Sequence, residues 1–306
     1  MRIIDAVRSA LLAAMFALGA CGNPQASVAA NAPKVAAGPA MWRVSDEDST
    51  AYLFGTFHIL PRDAKWITPA FEDAMRETGV TVTEVDAKSP AAQTEMTRLV
   101  QELGLNPPGV TLTALLGPTR AVRFSAIAER YGLKMSAFEP MKPWLAMISL
   151  SVAIMQKEGF DADSGAEEAV MERAAIEKDR ITHLETAEYQ IKALASLSED
   201  EILADFDASL HEYEEFDVYS RRMLDAWITG DVERLDEETL SEMRRKAPGA
   251  YRILITERNA NWAREIEEMM ARDENYFIAV GAGHLIGAGS VVEMLKEKGY
   301  AVERVQ

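Results

Sequence analysis

Two apolar runs, one near each end of the chain, share a local pattern that restricts the fold. The first is "YLFGTFHIL" at residues 52–60, and the second is "YFIAVGAGHLIG" at residues 276–287. Each run is rich in aromatic and β-branched residues, which favours a strand, and each continues into a glycine, two residues and a histidine. The histidines are His58 and His284, two of only 4 in the chain. A fold that places these two strands side by side would bring both histidines together.

Strand and helix patterns alternate at both ends of the chain. "VTVTEVD" predicts a strand that ends near Glu84, and "RITHLE" predicts a short strand that ends near Glu185. Between residues 198 and 272 the pattern is helical and acidic. We therefore predict an α/β fold with a central, mostly parallel sheet that has a mixed edge, flanked by helices and carrying a helical insert. In such sheets ligands bind beyond the carboxyl ends of the strands.

Two shorter segments predict where helices begin. "SVVE" at residues 290–293 has the spacing of a capping box and predicts a helix start at Ser290. "GLNPPGVTLTALLG" at residues 104–117 contains several helix breakers and predicts a loop.

The first residues of the chain predict export. Two arginines precede an apolar run that is too short for a transmembrane helix, which needs roughly 20 apolar residues, so residues 1–20 are predicted to be a signal peptide. "LGAC" at residues 18–21 resembles a bacterial lipobox, and Cys21 is the only cysteine in the chain. Cys21 is therefore the predicted lipidation site, with plain secretion as the alternative.

The predicted lipoprotein has a tether and one folded domain. Residues 21–40 are rich in Ala, Pro and Gly and predict a flexible tether, so the domain is expected at residues 41–306. We expect the protein at the periplasmic face of a bacterial membrane, or free in the periplasm or secreted. The formal net charge of −17 argues against binding to nucleic acid or to anionic lipid. The expected partner is a peptide or small-molecule substrate, with membrane contact only through the lipid anchor.

The paired Gly-x-x-His motifs suggest a metal site. His58, His284 and Glu84 would supply the nitrogen and oxygen ligands that a catalytic divalent metal uses, and manganese, cobalt and zinc all suit them. Gly55 and Gly281 belong to the candidate site because glycine lets the backbone turn where a strand ends. The alternative is that each histidine is a buried, hydrogen-bonded loop residue. His183 lies two residues before Glu185 and is a further candidate nitrogen ligand.

Together these motifs resemble the TraB/GumN/PrgY family. That family includes the Tiki metalloproteases and is more distantly similar to erythromycin esterases and to haem-binding ChaN-like proteins. Besides the two Gly-x-x-His motifs, the resemblance rests on Glu84 in "VTEVD", "KPW" at residues 142–144, "LETAEYQ" at 184–190 and "ERNANWA" at 257–263. It covers essentially all of the predicted domain.

The resemblance implies an α/β fold with the two motif strands at its centre and a site built from His58, Glu84, Arg258 and His284. Tiki-like members cleave peptides in a metal-dependent reaction, so a metal-dependent peptidase is the main expectation, with Glu84, Arg258 and Glu185 as candidate catalytic residues. Arg258 would either stabilise a developing oxyanion or form a salt bridge with a nearby acid. The alternatives are a lipoprotein that binds haem or a peptide without turnover, and a hydrolase of esters or lactones.

One position departs from the family pattern. Where many relatives have glycine, an apolar residue and aspartate, this chain has Gly165, Ala166 and Glu167. Glu167 is therefore a second-tier candidate for the site. The alternative is that Glu167 is an acid favoured at a helix N-terminus by the helix dipole.

Overall fold

The computed structural model describes residues 37–306, except for the side chain of residue 205. The predicted signal peptide, Cys21 and most of the predicted tether lie outside this range. The last tether residues are packed against the fold: Gly38, Pro39 and Ala40 are buried, and Gln306 Nε2 donates a hydrogen bond of 2.8 Å to the Pro39 carbonyl. Ordered structure thus extends slightly upstream of Met41, while the predicted domain boundaries stay a prediction.

The described strands form a six-stranded sheet with the order β6-β4-β7-β2-β1-β8 and a separate pair of β3 and β5. Their bounds are β1 (Met41–Ser45), β2 (Thr50–Thr56), β3 (Leu60–Pro61), β4 (Val80–Thr83), β5 (Phe160–Asp161), β6 (Arg180–His183), β7 (Tyr276–Gly281) and β8 (Ala301–Arg304).

Helices account for most of the remaining described chain. Their bounds are α1 (Pro69–Arg76), α2 (Pro90–Leu103), α3 (Leu112–Arg130), α4 (Pro143–Lys157), α5 (Ala166–Glu177), α6 (Ala187–Ala195), α7 (Glu199–Glu214), α8 (Phe216–Thr229), α9 (Val232–Thr239), α10 (Ser241–Lys246), α11 (Pro248–Tyr251), α12 (Glu257–Met270) and α13 (Val291–Glu297). A π-helical turn (Arg252–Thr256) precedes α12, and a 3-10 turn (Ala282–His284) follows β7. Within residues 37–306, no helix is both long enough and apolar enough to cross a membrane.

The sheet has a parallel core and an antiparallel edge. Strands β6, β4, β7 and β2 run parallel to one another, whereas β1 pairs antiparallel with both β2 and β8. Every residue of β4 and β7 is buried, as expected of strands covered by helices on both faces. The predicted mostly parallel sheet with a mixed edge and flanking helices is therefore confirmed, and α7 to α12 occupy the stretch predicted to be helical.

The two Gly-x-x-His strands are direct neighbours at the centre of the sheet. Strands β2 and β7 pair in parallel, with Gly55 opposite Val280 and Thr56 opposite Gly281. Gly55 has a packing role, because its carbonyl accepts a hydrogen bond of 2.8 Å from Trp227 Nε1 of α8. This register places the ends of both motifs at the same edge of the sheet.

One of the two predicted helix starts is confirmed, and the predicted loop differs from the structure. The loop predicted at residues 104–117 ends early, because the Thr111 side chain caps α3 and starts the helix at Leu112. Gly117, with φ 71°, interrupts the helix there. At α13 the Ser290 side chain accepts the Glu293 N–H as predicted, but the Glu293 carboxylate accepts from the Gly289 N–H at 2.8 Å. The Ser290 cap is therefore present, but the Glu293 carboxylate accepts from the N–H of Gly289 and not from that of Ser290.

Candidate active site

Four strand ends bring candidate residues to one edge of the sheet. His58 follows β2, Glu84 follows β4, Glu185 follows β6, and His284 lies in the turn after β7. Because these four strands are adjacent and parallel, their carboxyl ends lie at the same edge of the sheet. The site is thus a product of the sheet order, which joins positions far apart in sequence.

Gly281 is the point around which the three predicted metal ligands meet. A Cβ atom placed on Gly281 would lie 3.2 Å from Glu84 Oε1, 3.7 Å from His58 Nε2 and 3.8 Å from His284 Cδ2. The Gly281 N–H also donates a hydrogen bond of 2.7 Å to Glu84 Oε1. A side chain at this position would enter the space that the three groups share, so glycine keeps that space open.

His58 is held from behind by Glu167. The start of α5 packs on the chain just after β2, since the Ala166 N–H donates to the Phe57 carbonyl at 2.8 Å. A Cβ on Gly165 would lie only 2.2 Å from the His58 carbonyl oxygen, so this approach requires glycine. The Glu167 carboxylate then forms an ion pair with His58 Nδ1 and accepts a hydrogen bond from the Thr56 hydroxyl.

The charges of His58 and Glu167 support each other. Burial lowers the pKa of His58, but the negative charges of Glu167 and Glu84 outweigh it, so this pKa lies above its usual value. Burial raises the pKa of Glu167, but His58 and the Thr56 hydroxyl more than reverse this, so that pKa lies below its usual value. The Glu167 carboxylate accepts the proton on His58 Nδ1, and His58 Nε2 is directed towards the space beside Gly281.

His284 is neutral and fixed at both ring nitrogens. Its Nε2 lies 3.0 Å from Arg258 Nη1, and its Nδ1 lies 2.6 Å from Asn259 Oδ1. Because a guanidinium can only donate, Nε2 accepts and Nδ1 carries the proton donated to Asn259. Burial and then the charge of Arg258 hold the pKa of His284 well below its usual value. The ring also packs against Trp262, with 4.3 Å between ring centroids.

Arg258 is the central cation of the cluster. Its side chain is 2% exposed, and its guanidinium bonds Glu84 Oε2 at 2.9 Å and both carboxylate oxygens of Glu185. A further bond of 3.1 Å to the Leu254 carbonyl ties it to the π-helical turn. Burial lowers the pKa of Arg258, but the two carboxylates more than reverse this, so the group stays charged. Arg258 thus forms the salt bridge that the sequence left open as its alternative role.

The two carboxylates beside Arg258 share another partner. Gln190 Nε2 donates to Glu185 Oε1 at 2.7 Å and to Glu84 Oε2 at 3.2 Å, and Trp262 Nε1 donates to Glu185 Oε2 at 3.2 Å. Burial raises the pKa of Glu84, and the charges of Arg258 and His58 offset only part of that shift. Glu84 is therefore a carboxylate whose proton affinity is increased, at the border between the buried cluster and open space.

A cavity of about 110 Å³ opens beside His58 and Glu84. Glu167 also lines it, and so does His183, whose Nδ1 lies 2.8 Å from Thr83 Oγ1. A larger cleft of about 620 Å³ is also lined by His183, together with Glu185. The cavity is where a substrate atom can reach His58 and Glu84 together.

The structure thus brings six predicted residues into one cluster: His58, Glu84, Glu167, Glu185, Arg258 and His284. His183 is bonded to Thr83 outside this cluster but lines the same cavity, and Gly55 packs beneath α8. Sequence reasoning missed three partners that hold the cluster, Gln190, Asn259 and Trp262. Arg258 and Trp262 are four residues apart on α12 and lie on the same side of the helix, and Asn259 directly follows Arg258.

The residue types of the cluster suit a metal site, but their arrangement does not form one. His58 and His284 each hold Nδ1 against an oxygen, from Glu167 and Asn259, which is how metal-binding histidines are commonly oriented. In the described part of the chain, however, no three or more His, Cys, Asp or Glu side chains are placed to hold a metal ion. The group that meets His284 Nε2 is Arg258 Nη1. Of the predicted metal ligands, His58 Nε2 and Glu84 Oε1 are the donor atoms that face the space beside Gly281.

Comparisons with known proteins point to one family. The model of the TraB/PrgY/gumN family matches residues 40–304. The uncharacterized protein YbaP of Escherichia coli (strain K12) is 27% identical over 173 residues, which cover 56% of this chain and 62% of that protein. No solved structure gave a significant match.

Shorter matches lead to proteins named as metalloproteases. The metalloprotease TIKI homolog of Amphimedon queenslandica is 35% identical over 78 residues, covering 25% of this chain and 13% of that protein. Metalloprotease TIKI2 of Danio rerio is 36% identical over 75 residues, covering 24% of this chain and 13% of that protein. The matches thus span 62% of YbaP and a much smaller part of the TIKI proteins.

Proposed function

Because this chain belongs to the TraB/PrgY/gumN family, we propose that it is a hydrolase and that peptides are its substrates. The observation that carries the proposal is that His58 and Glu84, held by Glu167 and Arg258, line the same cavity. Two partial relatives are named metalloproteases, which supports peptides as the substrate class.

A divalent metal ion is part of the proposal. His58 Nε2 and Glu84 Oε1 would hold it, and His284 would join them where Arg258 Nη1 releases its Nε2. Such an ion, when bound, lowers the pKa of a water molecule and polarises a carbonyl group. Manganese, cobalt and zinc all suit this donor set.

The residues of the chain itself would orient the reaction and move the proton. Glu84 would hold the metal ion or, as the alternative, accept the proton of the attacking water. Glu167 would keep the His58 ring in place, and Arg258 would keep the Glu84 carboxylate in place through its bond of 2.9 Å.

The proposal is tested by metal content and peptide cleavage of the purified protein. We expect near-stoichiometric metal and cleavage of a peptide panel, both lost in a His58→Ala/His284→Ala variant that still folds. His211→Ala is the matched control, because that histidine lies on α7 with a side chain 51% exposed. Chelator should abolish cleavage, and manganese, cobalt or zinc should restore it.

Other outcomes would point to the other functions. Cleavage of esters or lactones without cleavage of peptides would indicate an ester or lactone hydrolase. A porphyrin absorption band without turnover would indicate a haem-binding protein. If neither the wild type nor the double variant binds metal after manganese, cobalt and zinc are added, the proposal of a metal-dependent reaction is wrong.

Export and lipid anchoring complete the proposal. The signal peptide at residues 1–20 and Cys21 would carry the domain to the periplasmic face of a bacterial membrane. Labelling of expressing cells with radioactive palmitate should mark the wild-type protein but not Cys21→Ser. Equal labelling of both proteins would contradict the anchor.

A further inference from the structure

The cavity beside His58 and Glu84 has a wall that the proposed chemistry does not use. That wall is half-buried and apolar, and it is formed by the loop after β4, the turn before α5 and α5 itself. The residues are Val85, Ala87, Ala162 and Met171. Apolar surface left open inside a cavity beside a reactive site commonly receives an apolar part of a ligand.

The charged and polar groups at the rim of the cavity are engaged with the chain itself. Lys88 Nζ pairs with Glu168 Oε1 at 2.6 Å, and the two charges offset each other. Asp86 Oδ1 accepts the backbone N–H groups of Lys88 at 3.0 Å and of Ser89 at 2.9 Å. The Gln190 amide is shared by the carboxylates of the cluster. The surface offered to a ligand beyond the reactive groups is therefore mainly apolar.

The size of the cavity matches one side chain. Its volume of about 110 Å³ is well below the roughly 300–1,000 Å³ of sites that enclose a small-molecule ligand. A peptide would lie across the opening and place a single side chain inside. That residue would adjoin the bond to be cut, because the cavity is bounded by His58 and Glu84.

Met171 is the adaptable part of the wall. It lies on α5 four residues after Glu167, so both side chains lie on the same side of the helix. Within the described chain, the half-buried Val85, Ala87 and Ala162 pack on the hydrophobic core, whereas Met171 is not among the residues that do so. A flexible thioether next to two alanines can adjust to apolar side chains of different shape.

We propose that this cavity binds an apolar side chain of the peptide substrate, on the residue next to the bond that is cut. Met171 and Ala87 set the size that is accepted. This inference rests on the proposed peptidase function and adds its specificity.

The test is cleavage of a peptide library in which one position at a time is varied, with products identified by mass spectrometry. For the metal-loaded wild type we expect kcat/KM to be about tenfold or more higher for Leu or Met than for Asp or Lys at one position next to the cut. Met171→Ala should shift the preference towards Phe, and Ala87→Leu should shift it towards Ala. Ile176→Ala, also on α5 but 66% exposed, should leave the profile unchanged.

The opposite direction of the two shifts separates a specificity role from a structural one, because a damaged fold would lower cleavage of every peptide equally. Wild-type cleavage without an apolar preference would overturn this inference and leave the peptidase proposal standing. If Met171→Ala and Ala87→Leu each lowered kcat/KM equally for all peptides, this inference would also be overturned and the peptidase proposal would stand. No cleavage of any library peptide with manganese, cobalt or zinc would overturn both.

Discussion

At the scale of single residues, the cluster depends on close approaches that a side chain would block. Gly165 lets the start of α5 meet the His58 carbonyl, and Gly281 leaves room for Glu84 Oε1 beside its Cα. Neither glycine has a positive φ in the structure. The reason for glycine at both positions is therefore contact with neighbouring atoms.

Gly165→Ala should damage the site. The new Cβ would lie 2.2 Å from the His58 carbonyl oxygen, so α5 must move and take Glu167 with it. We expect a loss of about 1–3 kcal/mol in the free energy of unfolding, measured in urea, together with reduced peptide cleavage. Gly79→Ala is the matched control, because a Cβ there meets nothing within 4 Å. Equal stability and activity of the two variants would contradict this role of Gly165.

Arg258→Met should destabilise the fold strongly. The substitution leaves Glu84 and Glu185 buried without their cation, which costs about 3–5 kcal/mol when one partner of a buried pair is removed. In Arg221→Met the side chain replaced is 79% exposed, and its ion pair with Asp217 is long at 3.9 Å, so little change is expected. Comparable unfolding midpoints in urea for both variants would show that the Arg258 network does not stabilise the fold.

At the scale of secondary structure, a few specific bonds dock the helices on the sheet. α12 presents Arg258, Asn259 and Trp262 to the cluster, and α8 reaches the central strand β2 through Trp227. The Trp227 ring also stacks on Phe57, with 4.9 Å between centroids. The position of His58 thus depends on a helix from the distant acidic region.

Trp227→Phe should weaken the docking of α8. The Gly55 carbonyl would lose its bond of 2.8 Å inside the protein, and an unsatisfied buried polar group costs about 1–3 kcal/mol. Trp144→Phe is the control, since Trp144 is equally buried but its Nε1 has no hydrogen-bond partner among the described residues. Thermal unfolding should give the lower midpoint for Trp227→Phe, and the reverse order would contradict the importance of this bond.

At the scale of the whole molecule, both ends of the described chain meet in one sheet. β1 and β2 come from one end, β7 and β8 from the other, and the four are adjacent in the order β7-β2-β1-β8. The helical stretch between them contributes Trp227 to β2 and Arg258 to the site. Sheet, insert and site therefore depend on one another.

This dependence predicts a single unfolding transition. Far-ultraviolet circular dichroism, which follows the helices, and fluorescence of the 5 tryptophans should give the same midpoint in urea. Two separate transitions would mean that the helical insert unfolds independently of the sheet, and that the predicted single domain at residues 41–306 is wrong.

Much of the site was predictable because its residues follow strands. His58, Glu84 and His284 were placed by the strand patterns that precede them, and the structure brings all three to Gly281. Gln190 and Asn259 could not be assigned in this way. A glutamine or asparagine on a helix carries no local sign of what it bonds, and both act here only through partners from other elements.

The sequence by itself determined the strands, their ends and the edge of the sheet to which candidate residues come, because side-chain alternation and glycine act over a few neighbouring residues. Only the tertiary structure decided which charges share the buried space. It placed Glu167 behind His58, and Arg258 between Glu84, Glu185 and His284. A buried charge costs free energy unless it is paired. Which partner is available depends on contacts between segments far apart in the chain.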